Sequence, residues 1–197
     1  MKYKNLTVSQ KGLSLIESAM VLAISAVIVS GVLYYYNHAQ ENRKLEEGIK
    51  QIQTIAASVN KLYTNSVTPP TGDVSRVVEA ISAITGIPTT MVGKTKMLTT
   101  PSGQWVEFWA NTSGTRNNTY VLETQVQSVS SCISYATLNM GTIMAGKTEI
   151  RVGDNQYGNN NSTNFSLSPS VASDACKKAY DANKGRNNIK VRYTLSY

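Results

Sequence analysis

The stretch KGLSLIESAMVLA, Lys11 to Ala23, determines how this chain is organised. A run without charged side chains extends from Ser18 to Tyr36, about 19 residues or ~28 Å as a helix, which is enough to cross the apolar core of a bilayer. A carboxylate, Glu17, lies directly before this run. A charge near the membrane interface costs much less than a charge at the bilayer centre. The segment therefore predicts a membrane helix that begins with an acid.

The flanks of the apolar run predict its orientation. Three lysines precede it: Lys2, Lys4 and Lys11. Beyond the run, Arg43 and Lys44 are diluted by nearby glutamates. The positive-inside rule then predicts a cytoplasmic N-terminus with the rest of the chain outside. No small-residue cleavage site of the secretory type follows the run, so the distinctive boundary is the one before it, between Gly12 and Leu13.

The segment KGLSLIESAMVLAISAV resembles the N-terminus of a type IV prepilin, with a basic leader, Gly at the cut and Glu as fifth residue after it. The first residue after the cut is Leu13 rather than Phe, which points to the type IVb branch and the bundle-forming and colonisation-factor pilins of enteric bacteria. The resemblance is close over Lys11 to Tyr36, and CISYATLNMG is a later echo. It implies cleavage between Gly12 and Leu13, methylation of the new Leu13 amine, and an assembly role for Glu17.

The same resemblance implies a set of partners. They are a prepilin peptidase, an inner-membrane assembly platform with its ATPase, an outer-membrane secretin, further copies of the chain, and in addition a host surface. The protein is then expected first in the inner membrane, with its domain in the periplasm, and afterwards in an extracellular fibre. No cofactor, metal, catalytic residue or nucleic-acid partner is expected.

The apolar helix is predicted to continue past the membrane run. Apolar residues from Leu45 to Tyr63 recur at spacings of four and three, which predicts an amphipathic stripe. One helix from about Leu13 to Tyr63 would be roughly 75 Å long. The predicted divisions are a leader (1–12), a transmembrane and polymerisation half of the helix (13–36), an amphipathic half (37–66) and a globular domain (67–197).

The globular domain reads as a mixture of short helices and strands. Helices are predicted over Asp73 to Ile84, in SVSSCISYATLNM, and in SPSVASDACKKAYD with Ser168 as N-cap. Strands are predicted for GQWVEFWA, TYVLETQV, TEIRV and NIKVRYTLSY, with loops at TPPTG and at Gln156 to Ser166. Strands that follow a long helix favour an α+β fold in which an antiparallel sheet packs on that helix. The resemblance implies the same arrangement, the type IV pilin fold.

The two cysteines, Cys132 and Cys176, lack a CxxC spacing, and metal ligation is disfavoured because His38 is the only histidine. In an exported domain they most simply form one disulfide, whereas in a cytosolic domain they would be two buried thiols. The membrane segment favours the disulfide. The resemblance implies in addition a disulfide-bounded region, residues 132–176, near the C-terminus.

Gly141 to Thr148 reads GTIMAGKT and matches the P-loop pattern, but its context is wrong for nucleotide binding. A P-loop follows a buried strand and opens a helix. Here a helix-like stretch precedes the pattern and an alternating stretch follows it, so a turn between helix and strand is predicted. The basic residues near the C-terminus are interpreted as a solvated face rather than a nucleic-acid site.

The sequence therefore predicts the major pilin of a type IVb pilus, a structural protein and not an enzyme, that polymerises for adhesion, bundling or colonisation. Two other functions stay open. One is a minor pilin or a type II secretion pseudopilin, which shares the N-terminal motif. The other is a single-pass membrane-anchored binding domain that never polymerises and keeps an uncut N-terminus.

Overall fold

The computed structural model describes residues 14–64, 73–111, 118–158, 165–184 and 188–197. The chain divides into two compact units, Met1–Asn42 and Arg43–Tyr197. The predicted leader, Leu13 and the TPPTG loop at 68–72 lie outside the described residues.

The predicted helices are present. Their bounds are α1 Leu15–Tyr63, α2 Val74–Thr85, α3 Val129–Ala136 and α4 Pro169–Ala182, with a 3-10 turn at Gly141–Ile143. The hydroxyl of Ser168 caps α4 and Pro169 is its first residue, as predicted. Helix α3 is shorter than the predicted helix and ends at Ala136. The residues that follow Ala136 do not continue the helix. Among them, the Asn139 side chain accepts the Gly141 N–H at 2.8 Å, and a local bond of this kind competes with helix continuation.

Seven strands in the described residues form one sheet in which every neighbouring pair is antiparallel. Their bounds are β1 Thr89–Val92, β2 Thr95–Thr99, β3 Trp105–Ala110, β4 Thr119–Val126, β5 Glu149–Val152, β6 Asn155–Tyr157 and β7 Ile189–Ser196. The order is β1-β2-β3-β4-β7-β5-β6, so the last strand of the chain lies in the middle of the sheet. The α+β prediction is confirmed.

Three strands were not expected from the sequence. The hairpin of β1 and β2 lies where no element was predicted, and β6 occupies Asn155–Tyr157 although a loop was predicted from Gln156 onward. The predicted loop is therefore wrong at its first residues. These strands have three to five residues and lie at or next to the sheet edges, where one-sided pairing needs little apolar patterning.

The core of the second unit lies between the helices and one face of the sheet. The buried residues of α1 are Gly48, Ile52, Ile55, Ala56, Ser58 and Val59. Together with the apolar residues of α2, α3 and α4 they pack on the inward side chains of the sheet, such as Leu122 and Val191. The hydroxyl of Tyr120 on β4 donates to the Ala56 carbonyl oxygen at 3.3 Å, which joins the sheet to α1 by a polar contact as well.

Candidate assembly site

Glu17 lies in the first turn of α1 and forms a capping box with Ser14. The Ser14 N–H donates to Glu17 Oε2 at 2.8 Å, and the Glu17 N–H donates to Ser14 Oγ at 3.2 Å. This reciprocal pair satisfies two of the donors that a helix start leaves unpaired, and an acid in the first turn also complements the helix dipole. Glu17 therefore has a local structural role that the sequence analysis missed, although the Ser-x-x-Glu pattern at 14–17 signals it.

The predicted cleavage site, Gly12 and Leu13, lies outside the described residues. The position of the Leu13 amine relative to Glu17 is therefore a matter for the proposal below, not an observation. The helix itself begins at Leu15, the third residue after the predicted cut.

Within the described residues of the first unit, the apolar surface of α1 is uncovered. Side chains from Leu15, which is 89% exposed, to Tyr36, which is 58% exposed, lie open along the helix. By length and composition this helix is able to cross a membrane, and none of its most apolar window is buried. A surface of this size exposes far more apolar area than a soluble monomer tolerates. It therefore requires lipid, or copies of itself, as its neighbour.

The second half of α1 is instead fixed to its domain by a close approach at Gly48. A Cβ atom at this position would lie 2.1 Å from the Tyr135 hydroxyl oxygen. That hydroxyl has no hydrogen-bond partner among the described residues, and burial raises the pKa of Tyr135 to about 12. The Tyr193 hydroxyl donates to the Tyr135 carbonyl oxygen at 2.6 Å and ties α3 to the centre of the sheet. Only glycine leaves room for this ring.

The two predicted cysteines are brought together. Cys132 on α3 and Cys176 on α4 form a disulfide, with their Cα atoms 5.9 Å apart, and both are fully buried. The bridge joins two helices that pack beside the sheet. The predicted disulfide-bounded region is thus present in the structure.

The opposite face of the sheet has a charged cluster that the sequence analysis did not single out. Glu123 on β4 is 1% exposed and takes two cations from β7: Lys190 Nζ at 2.9 Å and Arg192 Nη2 at 2.7 Å. Each cation also lies 5.0 Å from a ring centroid, Lys190 over Trp105 and Arg192 over Trp109. The rings shield the ion pairs from water, which strengthens them relative to exposed pairs.

A second carboxylate, Glu107, lies directly opposite Glu123 in the β3–β4 register. Burial, and then the charge of Glu123, raise the pKa of Glu107 above its ordinary value, although Lys190 and Arg192 act in the other direction. Both cations are engaged by Glu123, so Glu107 is a half-buried carboxylate beside a like charge. From the sequence, the alternation of side chains along β3 and β4 indicates only that Glu107 and Glu123 lie on one face of the sheet, not that they are neighbours.

The GTIMAGKT segment is not a phosphate-binding loop. The N–H groups of Ala145 and Gly146 both donate to the Thr194 carbonyl oxygen, at 2.9 and 3.1 Å, and the Thr148 N–H donates to Phe165. The loop is therefore bound to the sheet by the amides that a P-loop uses to hold phosphate. Strand β5 follows at Glu149, where a P-loop would open a helix. The predicted turn between helix and strand is confirmed.

Within the described residues, no group of three or more His, Cys, Asp or Glu side chains could hold a metal ion.

This architecture, a long helix with an exposed apolar half and a disulfide-linked domain on an antiparallel sheet, defines a pilin. A solved structure with the same fold is the type IVb pilin from Salmonella typhi, with a TM-score of 0.54, 13% identity, and coverage of 76% of this chain and 98% of that chain.

The sequence comparisons show the family. The Bundlin family model matches residues 37–196. The major structural subunit of the bundle-forming pilus from Escherichia coli O127:H6 (strain E2348/69 / EPEC) is 33% identical over 187 residues, covering 89% of this chain and 92% of the relative. The subunit of the same name from Escherichia coli O111:H- shows the same identity and coverage. The chain belongs to the Bundlin family.

The family model and the prepilin-like N-terminal motif lie in different parts of the chain. The motif that resembles a prepilin lies in residues 11–36, whereas the family model begins at residue 37. The two parts give the same classification.

Proposed function

We propose that this protein is the major structural subunit of a type IVb pilus, made as a prepilin and polymerised into an extracellular fibre. The observation that carries the proposal is the match over 89% of the chain to relatives named as major structural subunits of the bundle-forming pilus. The uncovered apolar half of α1 supports it, because a polymer of such helices buries that surface after it leaves the membrane. The role is structural and uses no catalytic residue.

The proposed maturation is cleavage between Gly12 and Leu13, followed by methylation of the Leu13 amine. A prepilin peptidase does both, and the inner-membrane platform, its ATPase and the outer-membrane secretin then assemble and export the fibre. Before assembly, residues 13–36 span the inner membrane, residues 37–66 form the amphipathic half of the helix, and residues 67–197 lie in the periplasm. Adhesion to a host surface and bundling of the fibres are the proposed uses.

Glu17 is proposed to align each incoming subunit. Before docking, its carboxylate is held by the Ser14 N–H in the capping box. In the fibre, the positively charged Leu13 amine of a neighbouring copy would lie in an apolar surrounding and require a counter-charge. A subunit that docked out of register would bury two unpaired charges, at a cost of several kcal/mol. The pairing thus favours one axial position.

N-terminal sequencing of fibres sheared from the cell surface tests the proposal. We expect one abundant protein that begins with methylated Leu13. A start at Met1, or a cut after Ala39, would contradict cleavage at Gly12 and favour a membrane-anchored domain. A correctly processed chain that is only a trace component of the fibres would instead identify a minor pilin or a pseudopilin.

A further inference from the structure

The sheet has two free edges in the described residues, and they differ in how well they are protected. Strand β6 has only three residues and follows the VGDN turn (152–155). Strand β1 has four residues and leads into the VGKT turn (92–95). Natural edges are protected by shortness, by charged side chains or by proline. Strand β1 contains no charge and no proline, all its residues are exposed, and Met91 is 58% exposed, so it is open to pairing with another strand.

The backbone of β1 presents a defined set of polar groups to this open side. Along an antiparallel pair, hydrogen-bonded residues alternate with residues whose N–H and C=O groups point away from the partner strand. The Thr99 N–H donates to the Pro88 carbonyl oxygen at 2.9 Å. Every second residue from Pro88 onward therefore points its backbone groups at β2. The residues between them, Thr89 and Met91, point theirs to the open side of the sheet.

This edge is complementary to itself. If a second copy of β1 lies antiparallel, with Thr90 opposite its own counterpart, then Thr89 of each copy lies opposite Met91 of the other. Both of these become hydrogen-bonded pairs, so every outward N–H and C=O of the strand gains a partner. Directly opposite residues lie on the same face, so the two sheets continue into one. The threonines at the centre form a favourable cross-strand pair.

Other registers use fewer of these groups. A slide of two residues in one direction aligns Met91 with itself and leaves Thr89 opposite Gly93 in the turn. A slide in the other direction sets Met91 opposite Ile87, whose N–H already donates to the Thr85 hydroxyl oxygen at 3.3 Å. A slide of one residue sets groups that point outward opposite groups that point at β2. The register centred on Thr90 is therefore the one that the edge favours.

The charges near the strand also suit a second copy. In this register, the VGKT turn of each copy lies beside the residues that join α2 to β1 in the other. Helix α2 has no basic residue in its last turn, and a cation near a helix C-terminus interacts favourably with the helix dipole. Lys94 is exposed in the VGKT turn and forms no ion pair among the described residues, so it can supply that cation. The two Lys94 side chains lie at opposite ends of the paired strands and do not repel each other.

We propose that two copies of this chain pair through their β1 strands about a two-fold axis at Thr90, and that these copies belong to different fibres. The inference rests on the proposed function, because it names the surface by which pilus fibres bundle. Subunits along one polar fibre repeat head to tail, so a two-fold contact does not join them. A four-residue strand buries far less than the ~1,200 Å² of a stable interface, so one contact is weak, but rows of contacts between two fibres reinforce each other.

A charge at the two-fold axis tests the contact in the intact chain. Thr90→Lys sets two like charges directly opposite each other, on an edge strand where lysine is well tolerated. We expect the fraction of fibres that lie in bundles, counted by electron microscopy, to fall several-fold. The ratio of sheared to cell-associated mature pilin should stay at the wild-type value. Asn155→Lys is the matched control, since it adds the same charge to an exposed position on the β6 edge and should bundle normally.

Single cysteines test the register. Thr90→Cys sets two cysteines in a non-hydrogen-bonded pair, whose Cα atoms lie about 4.5 Å apart, within reach of a disulfide. In oxidised bundles we expect a covalent dimer on a non-reducing gel and no larger product. Thr89→Cys and Met91→Cys set their two cysteines on opposite sides of the axis, more than about 7 Å apart, and should give little dimer.

Several results would overturn the contact. Normal bundling in Thr90→Lys, or an equal loss in Thr90→Lys and Asn155→Lys, would do so. A loss of fibre yield in Thr90→Lys with a folded domain would place the contact within a fibre instead. If Thr90→Lys failed to fold, the cysteine variants would decide. Bundled Thr90→Cys fibres without dimer, equal dimer from Thr89→Cys or Met91→Cys, or a product that contains another protein would each contradict the proposal.

The failure of this inference differs from a failure of the proposed function. If the wild-type chain forms abundant fibres that never bundle, or that bundle without the β1 contact, only the edge pairing is wrong. If the wild-type chain forms no fibres in cells with a type IVb assembly system, the proposed function is wrong and the edge pairing is overturned with it.

Discussion

The first and second parts of α1 differ in what their apolar residues contact. In the first unit, large apolar side chains from Leu15 to Tyr36 are exposed around the helix. In the second unit, a single stripe that includes Ile52, Ile55 and Val59 is fully buried against the domain. One helix thus has a second part whose apolar stripe is buried against its own domain, and a first part whose apolar side chains are covered by no described residue.

This difference explains how a pilin can fold before it assembles. The second part of α1 gains its stability from the burial of a narrow face, which requires no partner subunit. The first part gains stability only from lipid or from other copies, so its interactions can be exchanged without unfolding the domain. Changes in the first part should therefore alter assembly, whereas changes in the second part should alter folding.

The largest expected effect is at Glu17, where assembly should fail while the domain stays folded. Glu17→Ala removes the charge and the capping box, whereas Glu17→Gln removes only the charge, since glutamine also serves in a capping box. We expect both to lower surface fibres at least about tenfold, because an unpaired Leu13 amine in the core costs several kcal/mol and each 1.4 kcal/mol is a factor of ten. The measurement is the ratio of sheared to cell-associated mature pilin.

Ser14→Ala separates capping from charge at this position. It deletes the hydroxyl that accepts the Glu17 N–H but leaves the carboxylate in place. We expect fibre yield close to that of wild type. If Glu17→Gln assembled normally and Ser14→Ala did not, helix capping rather than charge would be the determinant.

The next effect is on the stability of the second unit. Replacing both Cys132 and Cys176 by serine should lower the free energy of unfolding by about 4 kcal/mol in the chain-entropy estimate for a bridge that spans 44 residues. Denaturant unfolding of purified mature protein measures it, and low pilin levels in cells should accompany it. The single variant Cys132→Ser should lose a similar amount. A much larger loss in the single variant would indicate a local effect of the lone thiol.

A glycine pair in α1 compares the two parts directly. Gly48→Ala places a Cβ against the Tyr135 hydroxyl, and overpacking of this kind costs about 1–3 kcal/mol. Gly31→Ala meets no atom within 4 Å and should leave the stability of the domain unchanged. Thermal unfolding in detergent distinguishes the two. Adding Tyr135→Phe, which removes the hydroxyl, should restore the stability that Gly48→Ala loses. If stability were not restored, the clash with the hydroxyl would not be the cause of the loss.

The remaining effects concern two carboxylates that lie opposite each other in the sheet, and that of Glu107 is the smallest. Glu123→Gln leaves Lys190 and Arg192 without their buried counter-charge and should cost about 2 kcal/mol, below the usual 3–5 because both cations are partly exposed. Glu107→Gln should instead stabilise by less than about 1 kcal/mol, since water screens this half-buried group.

The effect of Glu107→Gln should depend on pH. The pKa of Glu107 is raised in the folded protein above its ordinary 4.5, so the ionised carboxylate disfavours the folded state. This penalty is absent below the ordinary value, grows as the pH rises towards the folded pKa, and is complete above it. The stability of the variant and of wild type should therefore converge below about pH 4.5, as denaturant unfolding at several pH values can test. An equal difference at every pH would contradict the assignment.

The sequence determined the parts of this protein that depend on local pattern. The apolar run that ends at Tyr36 and the stripe from Leu45 to Tyr63 were read along one helix, because side chains three and four residues apart share a face. The Ser-x-x-Glu start at 14–17 is also a local pattern, but its capping box was recognised only in the structure. The disulfide between the two cysteines was inferred from the predicted membrane segment. The two long central strands, β4 and β7, were both recognised, although only β7 alternates between buried and half-buried residues and β4 is buried along almost its whole length.

The tertiary structure alone decided the pairing of distant segments. It placed the C-terminal strand β7 between β4 and β5, and so brought Glu123 against Lys190 and Arg192. It set Tyr135 against Gly48, and it put the VGKT and VGDN hairpins at opposite edges of one sheet. The order of the strands and the close contacts between elements depend on which apolar faces of distant segments are buried together. Which faces these are depends on the whole chain, so no stretch of neighbouring residues determines it.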